Sequence, residues 1–316
     1  MGTWTVGLVA LDSSENELNI YEKFERGEFK LITNQISELE DSILFQADPF
    51  LFHYKDSIFL FLETKPVERP AFISVYYLSD DLSEVKFLGI SLKEDFHLSY
   101  PQVVNLDNEI YLVPESQGAG VSLAYKSSNF PLMWDDPVPF IDDVVKDPTI
   151  LKLRENGGLV FFGKSGKLFR GEFSYADGKF SVFNKEYLKT GSGFRPVGQP
   201  FFVKEINKLL LPLQDNSEGY GYGVNLHEID SLNLFENIPA KSLFLKRNEF
   251  VKQFEGGMHH ISHLDLGEIK VFAVDGNFLN SYNRKFNFKY FVKYNYLNLW
   301  DYFFGSYIEP WYPFNE

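Results

Sequence analysis

The sequence contains no cysteine, which excludes a disulfide framework, a thiolate zinc site and a cysteine nucleophile. It also lacks any run of about 18 apolar residues, the length that a membrane-spanning helix needs. The first residues, MGTWTVGLVALDSSENE, carry no basic segment before their short apolar run, so we expect no secretory signal peptide and predict a cytoplasmic location. No stretch keeps a long 3.6-residue apolar period with helix caps, which argues against a helical fold.

Basic residues are in the minority. Lys and Arg number 30 against 44 Asp and Glu, which gives a net charge of −14. Such a chain repels phosphate groups, so we expect neither nucleic acid nor an anionic membrane as its main partner. A net acidic surface is also a common means of staying soluble, so the charge alone indicates no function.

A repeated strand-turn-strand pattern dominates what is present. Aromatic residues make up 17% of the chain, a composition that favours strands. The stretch QADPFLFHYKDSIFLFLE, residues 46–63, consists of a proline, an apolar run, a polar turn, a second apolar run and a carboxylate. The same order recurs in residues 99–116, 146–164, 198–215 and 257–276, with Met258 replacing the proline in the last. A period of roughly 50 residues with this content is typical of propeller blades.

Further hairpins are predicted between the repeats, at residues 71–92 and 167–183. Two inner and two outer strands make a blade, so the sequence predicts an all-β, five-bladed β-propeller with four-stranded blades. No clean outer hairpin follows the last repeat, so the leading strand, residues 4–11, is expected to complete that blade. We assign residues 1–280 to the propeller and 281–316 to an aromatic-rich C-terminal extension packing on it. A β-sandwich with chance periodicity is the alternative.

Polar residues occupy the start of the first strand and the end of the second strand in each repeat. These two positions meet on one face of a propeller, because the first strand lines the channel and the second runs antiparallel beside it. We therefore predict an axial pocket. Its first-strand residues are Asp48, Tyr100, Gln102, Asp147, Arg195, Gln199, His259 and His260, and its second-strand residues are Glu63, Glu115, Lys164, Gln214, Asp215 and Asp275.

Each of these residues also has a structural interpretation. An Asp before proline often only caps a turn, and Arg195 could simply neutralise acidic neighbours. Strand alternation would send one of His259 and His260 toward the axis and the other into the blade. The functional hypothesis therefore depends on the whole set lying on one face.

The motif order resembles that of a known family. The series ADPFLF, SYPQVV, YLVPES, KDPTI, FRPVGQPFF, LPLQD, YGYGVNLHEI and GMHHIS is similar to the propeller domain that precedes the transferase domain of plant glucosamine inositolphosphorylceramide transferases. Similar domains accompany bacterial formyltransferase-like and surface-polysaccharide proteins. The resemblance runs from about Trp4 to Asp275. It implies a role in glycan or surface-polysaccharide metabolism.

A more distant resemblance links ADPF and KDPTI to the five-bladed propeller glycosidases of the arabinanase, xylosidase and fructosidase type. In those enzymes a first-blade Asp is the general base, a third-blade Asp tunes the pKa and orients substrate, and a fourth-blade Glu is the general acid. Asp48 and Asp147 match the first two by resemblance. The fourth-blade place near Gln199 holds no carboxylate. Either Glu115 or Asp215 supplies the proton instead, or ordinary hydrolysis has been lost.

Three functional hypotheses remain. In the first, the protein is a carbohydrate-active enzyme. Its catalytic residues would be Asp48, Glu115, Asp147 and Asp215, and its substrate-binding residues would be Glu63, Tyr100, Gln102, Arg195, Gln199, Gln214, His259 and His260. The ring faces of Tyr100, Trp134 and Tyr220 could contact sugar rings. In the second, a non-catalytic propeller binds a glycan or sugar nucleotide and assists a transferase partner. The third is a metal-dependent hydrolase using Asp48 and the histidines, but adjacent histidines are not spaced for joint ligation. We therefore predict no cofactor and no catalytic metal, and leave room only for one structural cation on the axis.

Overall fold

The computed structural model describes residues 3–32, Ile36, Leu39, 42–188, 195–217, 219–229, 244–246 and 252–278. These residues form five antiparallel sheets arranged in a ring, which confirms the five-bladed β-propeller. The predicted C-terminal extension, residues 281–316, lies outside the described residues, so that domain boundary stays a prediction.

The strands follow one another from the axis outwards in the first four blades. The first blade contains β3 (Ile43–Tyr54), β4 (Ser57–Pro66), β5 (Phe72–Leu78) and β6 (Val85–Leu92). The second contains β7 (Ser99–Leu106), β8 (Glu109–Glu115) and β9 (Ser122–Asn129), with β10 (Met133–Trp134) and β11 (Val138–Ile141) both pairing with β9. The third contains β12 (Lys146–Arg154), β13 (Gly157–Lys164), β14 (Lys167–Ala176) and β15 (Lys179–Leu188). The fourth contains β16 (Phe201–Val203), β17 (Lys208–Asp215), β18 (Gly223–Glu228) and β19 (Phe244–Lys246).

The start of the chain completes the fifth blade, as predicted. Its strand order is β20 (Ile261–Asp265), β21 (Ile269–Phe278), β1 (Thr3–Asp12) and β2 (Lys30–Ile32). β1 pairs with β21 along its whole length, from Thr3 opposite Phe278 to Asp12 opposite Ile269. The ring is therefore closed by backbone hydrogen bonds between the two ends of the propeller.

Among the described residues, the core consists of five separate apolar clusters, each between two neighbouring blades. Successive side chains of a strand point to opposite faces, so one strand supplies two clusters. In β4, for example, Phe61 packs toward the second blade while Leu60 and Leu62 pack toward the fifth. Because both faces of a blade are buried, the inner strands are near-continuous apolar runs.

Helical structure is sparse among the described residues. The α-helix α1 (Ile20–Glu25) packs Ile20 and Phe24 against the fourth and fifth blades, and short 3₁₀ helices span Glu17–Asn19, Gln117–Ala119, Lys204–Ile206 and Lys252–Phe254. None of the helices in these ranges has the length and apolar character needed to cross a membrane.

Candidate functional site

The first strands of three blades share one backbone feature near the axis. Asp48, Tyr100 and Asp147 each precede a proline and have positive φ values of 51°, 52° and 49°. At each of them the first strand contains one residue more than its partner strand, as in a β-bulge. The left-handed conformation costs roughly 1–2 kcal/mol for a residue with a side chain, so its repetition indicates a feature that the fold maintains.

Carboxylates of the preceding blade bind the amides at these bulges. Asp275 of the fifth blade accepts the amide of Asp48 at 3.1 Å, and Asp48 accepts the amide of Tyr100 at 3.1 Å. Glu115 of the second blade accepts the amide of Asp147 at 2.9 Å. The acids predicted from the sequence therefore connect neighbouring blades.

Asp48 lies beside both histidines of the doublet. Its Oδ1 is 3.9 Å from Nδ1 of His259 and 3.6 Å from Nδ1 of His260. Burial alone would raise the pKa of Asp48, but His260, His259 and Arg195 together lower it well below its usual range. Asp48 is therefore a carboxylate anion near neutral pH.

The two histidines precede regular strand β20, which begins at Ile261, and their rings contact different aromatic residues. His259 stacks on Trp4 with ring centroids 3.7 Å apart, and its Nδ1 is 2.7 Å from Oδ2 of Asp275. Burial works to lower the pKa of His259, but Asp275 and Asp48 raise it overall. His260 is fully buried against Phe50.

Arg195 joins Asp147 and Glu115. Its Nη2 donates to Oδ1 of Asp147 at 3.0 Å, its Nε donates to the other oxygen of that carboxylate, and Nη2 lies 3.7 Å from Oε2 of Glu115. Burial, followed by the neighbouring charge of Asp147, raises the pKa of Glu115 to about 8. Glu115 therefore keeps a proton at neutral pH, while its Oε2 accepts the Asp147 amide.

Glu63 has a partner that the repeat did not reveal. Nε2 of His97, in the connection between the first and second blades, is 3.0 Å from Oε1 of Glu63. Burial raises the pKa of Glu63 more than His97 lowers it. Burial lowers the pKa of His97, but Glu63 and then Glu115 raise it overall. His97 follows no repeated motif, so the sequence carried no signal for it.

These groups form one electrostatic site, which we call the axial cluster: Asp48, Glu63, His97, Glu115, Asp147, Arg195, His259, His260 and Asp275. The charge of Arg195 affects the pKa of Asp48, Glu115 and His259, and the charge of Asp48 affects that of Glu63. The side chains of Asp48, Glu115 and Arg195 are 13%, 12% and 20% exposed. The cluster is thus largely buried, and solvent reaches it at Asp48, Glu115, Arg195 and the half-exposed His97.

Three other predicted binding residues make hydrogen bonds between blades. Tyr100 is buried, and its hydroxyl shares a 2.6 Å hydrogen bond with Thr149 and accepts the amide of Gly198 at 2.8 Å. Gln102 bonds both backbone groups of Ile150, at 2.6 and 2.9 Å. The amide of Gln199 donates to the carbonyl of His263 at 2.7 Å. A substrate contact for these three side chains stays a prediction.

The fourth blade brings a glycine rather than an acid close to its neighbour. Gly198 has φ of 139°, and a Cβ there would lie 1.8 Å from the carbonyl oxygen of Ile261. Asp215, the fourth-blade acid predicted as an alternative proton donor, is buried and accepts the amide of Ser217 in its own turn at 2.8 Å. Gln214 is buried beside it and accepts a side-chain hydrogen bond from Asn216.

Of the three aromatic residues considered for sugar contact, Tyr220 is exposed beside the axial cluster. It is 44% exposed, and its ring centroid lies 5.6 Å from that of His259. Trp134 packs instead on the outer strands against Phe61 and Phe130. Tyr100 is only 1% exposed, which leaves no free ring face.

A cation could be held by Asp48, His259 and Asp275, whose ligand atoms lie within 4.8 Å of one another. Carboxylates with an imidazole suit a divalent cation, but ligation requires the neutral ring. Asp275 raises the pKa of His259 despite its burial, and so favours the imidazolium. The oxygens of Asp275 also accept the amides of Asp48 and His259, at 3.1 and 3.0 Å. The group fits a cation only after His259 loses its proton, and the structural cation on the axis stays a prediction.

Solved structures with the same fold include glycosidases. An alpha-L-arabinofuranosidase from Podospora anserina matches with a TM-score of 0.56 at 14% identity, covering 77% of this chain and 94% of that chain. The catalytic domain of a Coprinopsis cinerea alpha-L-arabinofuranosidase matches with a TM-score of 0.57 at 11% identity, covering 77% and 93%. At these identities the likeness shows the fold alone.

Similarity in sequence identifies the family. Glucosamine inositolphosphorylceramide transferase 1 of Arabidopsis thaliana is 31% identical over 262 residues, 75% of this chain and 33% of that protein. The protein of the same name from Oryza sativa subsp. indica is 30% identical over 241 residues, 71% of this chain and 32% of that protein. The chain thus spans about a third of the length of these relatives. The family described as "Glucosamine inositolphosphorylceramide transferase 1, N-terminal" matches residues 30–277, so the chain belongs to that family, as its motif order predicted.

Proposed function

We propose that this protein acts on a sugar or sugar conjugate bound over the axial cluster, with Asp48 as the base and Glu115 as the proton donor. A carbohydrate-related function is supported by the relatives, which are named as transferases of glucosamine inositolphosphorylceramide. The finer proposal, a glycosidase-like or glycosyl-transfer reaction, rests on the site itself.

The observation that carries this proposal is the opposite protonation of two carboxyl groups in one site. Asp48 is ionised beside two histidines, whereas burial and Asp147 hold the pKa of Glu115 at about 8. Reactions at a glycosidic bond need one group to accept a proton or activate a nucleophile and another to protonate the leaving oxygen. Two carboxyl groups whose surroundings drive their pKa values apart suit these two roles.

The neighbouring residues suit substrate positioning. Arg195 fixes Asp147 with two hydrogen bonds and approaches Glu115, so it holds these two acids in place, although its charge opposes the raised pKa of Glu115. His97 has a half-exposed side chain and can donate to a sugar hydroxyl at the edge of the site. Tyr220 offers an exposed aromatic ring next to His259.

The second candidate is a non-catalytic propeller that binds a glycan or sugar nucleotide and assists a transferase. Two observations favour it: the fourth blade has Gln199 where the propeller glycosidases have their acid, and the chain spans about a third of its transferase relatives. A transferase partner and a cytoplasmic location are both part of this proposal. Co-purification and cell fractionation would test them.

Asp48→Asn and Glu115→Gln distinguish the two candidates. Turnover and binding are measured on a panel of oligosaccharides and sugar nucleotides, with Glu109→Gln at the far end of β8 as the matched control. In an enzyme, each site variant loses about 10²–10⁴-fold in kcat while sugar binding persists, and the control is unchanged. Sugar binding without turnover by the unmodified protein on the whole panel would instead establish the binding propeller.

A further inference from the structure

The strand that closes the ring also supplies an aromatic residue to the axial cluster. Trp4 lies in β1 and pairs with Asn277 of β21, two residues after Asp275 of the axial cluster. Its ring lies almost parallel to the imidazole of His259, with the two planes 18° apart and the centroids 3.7 Å apart. None of the roles proposed above involves Trp4.

Three contacts fix the orientation of the His259 imidazole. Oδ2 of Asp275 lies 2.7 Å from its Nδ1, and the other oxygen of that carboxylate accepts the backbone amide of His259 at 3.0 Å. Trp4 covers one face of the ring. His259 is 8% exposed, and within the part of the chain that the structure describes its Nε2 makes no hydrogen bond. This nitrogen is therefore the one left for a ligand.

Trp4 also supports the loop that carries Tyr220. The rings of Trp4 and Tyr220 are nearly perpendicular, at 88°, with centroids 6.4 Å apart. Gly221 follows with a positive φ of 67°, and a Cβ there would lie 2.7 Å from Cη2 of Trp4 and 3.3 Å from Cβ of His259. Only glycine therefore allows the loop to pack this closely on both residues. Trp4 thus contacts both His259 and the backbone beside the exposed Tyr220.

We propose that Trp4 is a positioning residue that holds His259 for a ligand of the axial cluster and so couples ligand binding to closure of the ring. This inference rests on the proposed function, in which a sugar or sugar conjugate occupies that cluster. Backbone pairing between β1 and β21 closes the ring without help from the indole. The Trp4 side chain adds a contact across that closure, and the contact ends on a ligand-binding residue.

The coupling works in both directions. If a docked β1 strengthens sugar binding by some factor, bound sugar must favour the docked strand by the same factor, because the two equilibria form one thermodynamic cycle. A stacked aromatic pair is strong enough to change affinity about fivefold. Bound sugar should therefore reduce the opening of β1 about fivefold. A side chain that only fills the core would produce no such effect.

The first experiment measures the affinity of the full chain and its variants for the oligosaccharides and sugar nucleotides that the unmodified protein binds. Trp4→Leu should weaken binding about fivefold, and Trp4→Phe, which keeps an aromatic ring, should weaken it less. Leu11→Ala is the matched control, because Leu11 is a buried residue at the other end of β1 and its truncation lowers stability away from the site. Unchanged affinity in Trp4→Leu, or an equal loss in Leu11→Ala, would overturn the proposal.

A double-mutant cycle shows whether Trp4 acts through His259. His259→Ala removes the imidazole, so adding Trp4→Phe or Trp4→Leu to it should cause no further loss of affinity. The Phe variant decides the cycle if the Leu variant does not fold. Additive losses would assign the effect of Trp4 to a general loosening of the fifth blade, and the positioning role would then be wrong.

Amide hydrogen exchange, with and without a saturating amount of the tightest-binding sugar of the panel, measures the opening of β1. In the unmodified protein, the sugar should slow exchange in β1 about fivefold and leave the outer strand β15 of the third blade unchanged. In Trp4→Leu, or in Trp4→Phe if the former does not fold, this slowing should be lost or reduced. Exchange in β1 that does not respond to the sugar overturns the coupling and leaves the proposed function standing. If the unmodified protein binds no sugar of the panel, the proposed function fails and the positioning role fails with it.

Discussion

Two charged clusters lie near opposite ends of strand β21 and differ in how their charges are balanced. Toward one end, Asp275 belongs to the axial cluster. Toward the other, Lys270 donates to the carbonyl of Glu15 at 2.7 Å and lies 3.0 Å from Glu17 and 3.8 Å from Glu205. Five residue steps along the strand, about 16 Å, separate Lys270 from Asp275.

The central ion pair of the Lys270 cluster is closed to solvent, although Glu205 at its edge is 32% exposed. The side chains of Lys270 and Glu17 are 2% and 0% exposed. A hydrogen bond with Glu17 raises the pKa of Glu205. Burial would raise the pKa of Glu17, but the hydrogen bond with Glu205 and the contact with Lys270 lower the pKa of Glu17 overall. The Lys270 ammonium is therefore the counter-charge of Glu17 and also lies beside Glu205. Since these residues join the segment after β1 to the fourth and fifth blades, the cluster stabilises the closure of the ring.

The axial cluster has similar groups but remains open. Asp48 is ionised, Glu115 is protonated, and both are reached by solvent. The comparison shows that buried charge alone does not indicate a functional site. A cluster that satisfies its own charges stabilises the fold, whereas one that holds accessible carboxyl groups in different protonation states can transfer protons.

The largest effect is expected from Lys270→Met. Methionine replaces the apolar stem but leaves Glu17 buried without its counter-charge, so the free energy of unfolding should fall by about 3–5 kcal/mol. Urea unfolding followed by circular dichroism measures it. Lys204→Met, which removes the exposed pair with Asp265, is the control and should change stability little.

The variant Lys270→Met/Glu17→Gln shows whether an unpaired charge causes the loss. Replacing both charged partners removes the buried ion, so at least half of the lost stability should return. If the double variant is as unstable as Lys270→Met, lost packing rather than unpaired charge explains the effect, and the contrast between the clusters fails.

The second effect concerns the axial cluster and depends on pH. The pKa of Glu115 is about 8 in the folded protein, above its ordinary value of 4.5. Its contribution to stability is therefore fully present below pH 4.5 and is lost as the pH rises through 8.

Glutamine does not titrate, so Glu115→Gln should gain about 1–3 kcal/mol relative to the unmodified protein between pH 5 and pH 9. Urea midpoints at the two pH values measure this change. Glu109→Gln should show no such gain, and a pH-independent difference for Glu115→Gln would contradict the raised pKa.

Much of the fold could be predicted because each repeat carries its own local signals. Apolar runs separated by turn residues defined the inner hairpins, and a last repeat without an outer hairpin indicated that β1 closes the ring. The same repeat aligned Asp48 with Asp147, each before a proline. Glu63 and Glu115 also take equivalent positions, opposite Ala47 and Ser99 in the inner hairpins.

The pairings within the clusters could not be predicted in this way. Glu17, Glu205 and Lys270 come from three distant segments and occupy no repeated position, so only the closed ring brings them together. His97 lies in a connection, and Trp4 meets His259 only because β1 crosses to the fifth blade. The sequence predicted that polar residues lie at the axis. It did not predict whether each side chain faces a ligand or the next blade, because that depends on the bulges, as Tyr100 and Gln102 illustrate.

The smallest effect, expected from Tyr220→Ala, tests the open cluster. Tyr220 is 44% exposed, so its removal should change the free energy of unfolding by less than about 0.5 kcal/mol. If its ring contacts the sugar, affinity for the oligosaccharides bound by the unmodified protein should fall about fivefold, as for the loss of one aromatic contact.

Tyr220→Phe keeps the ring and removes the hydroxyl, so it should bind sugar as the unmodified protein does. An equal loss in the Phe and Ala variants would assign the contact to the hydroxyl instead of the ring face.

Lys270→Met should show the reverse pattern, with lowered stability and unchanged sugar affinity in the folded protein. The Lys270 cluster would then contribute to stability and the axial cluster to sugar binding. A binding defect in Lys270→Met would show instead that the two clusters are coupled through β21.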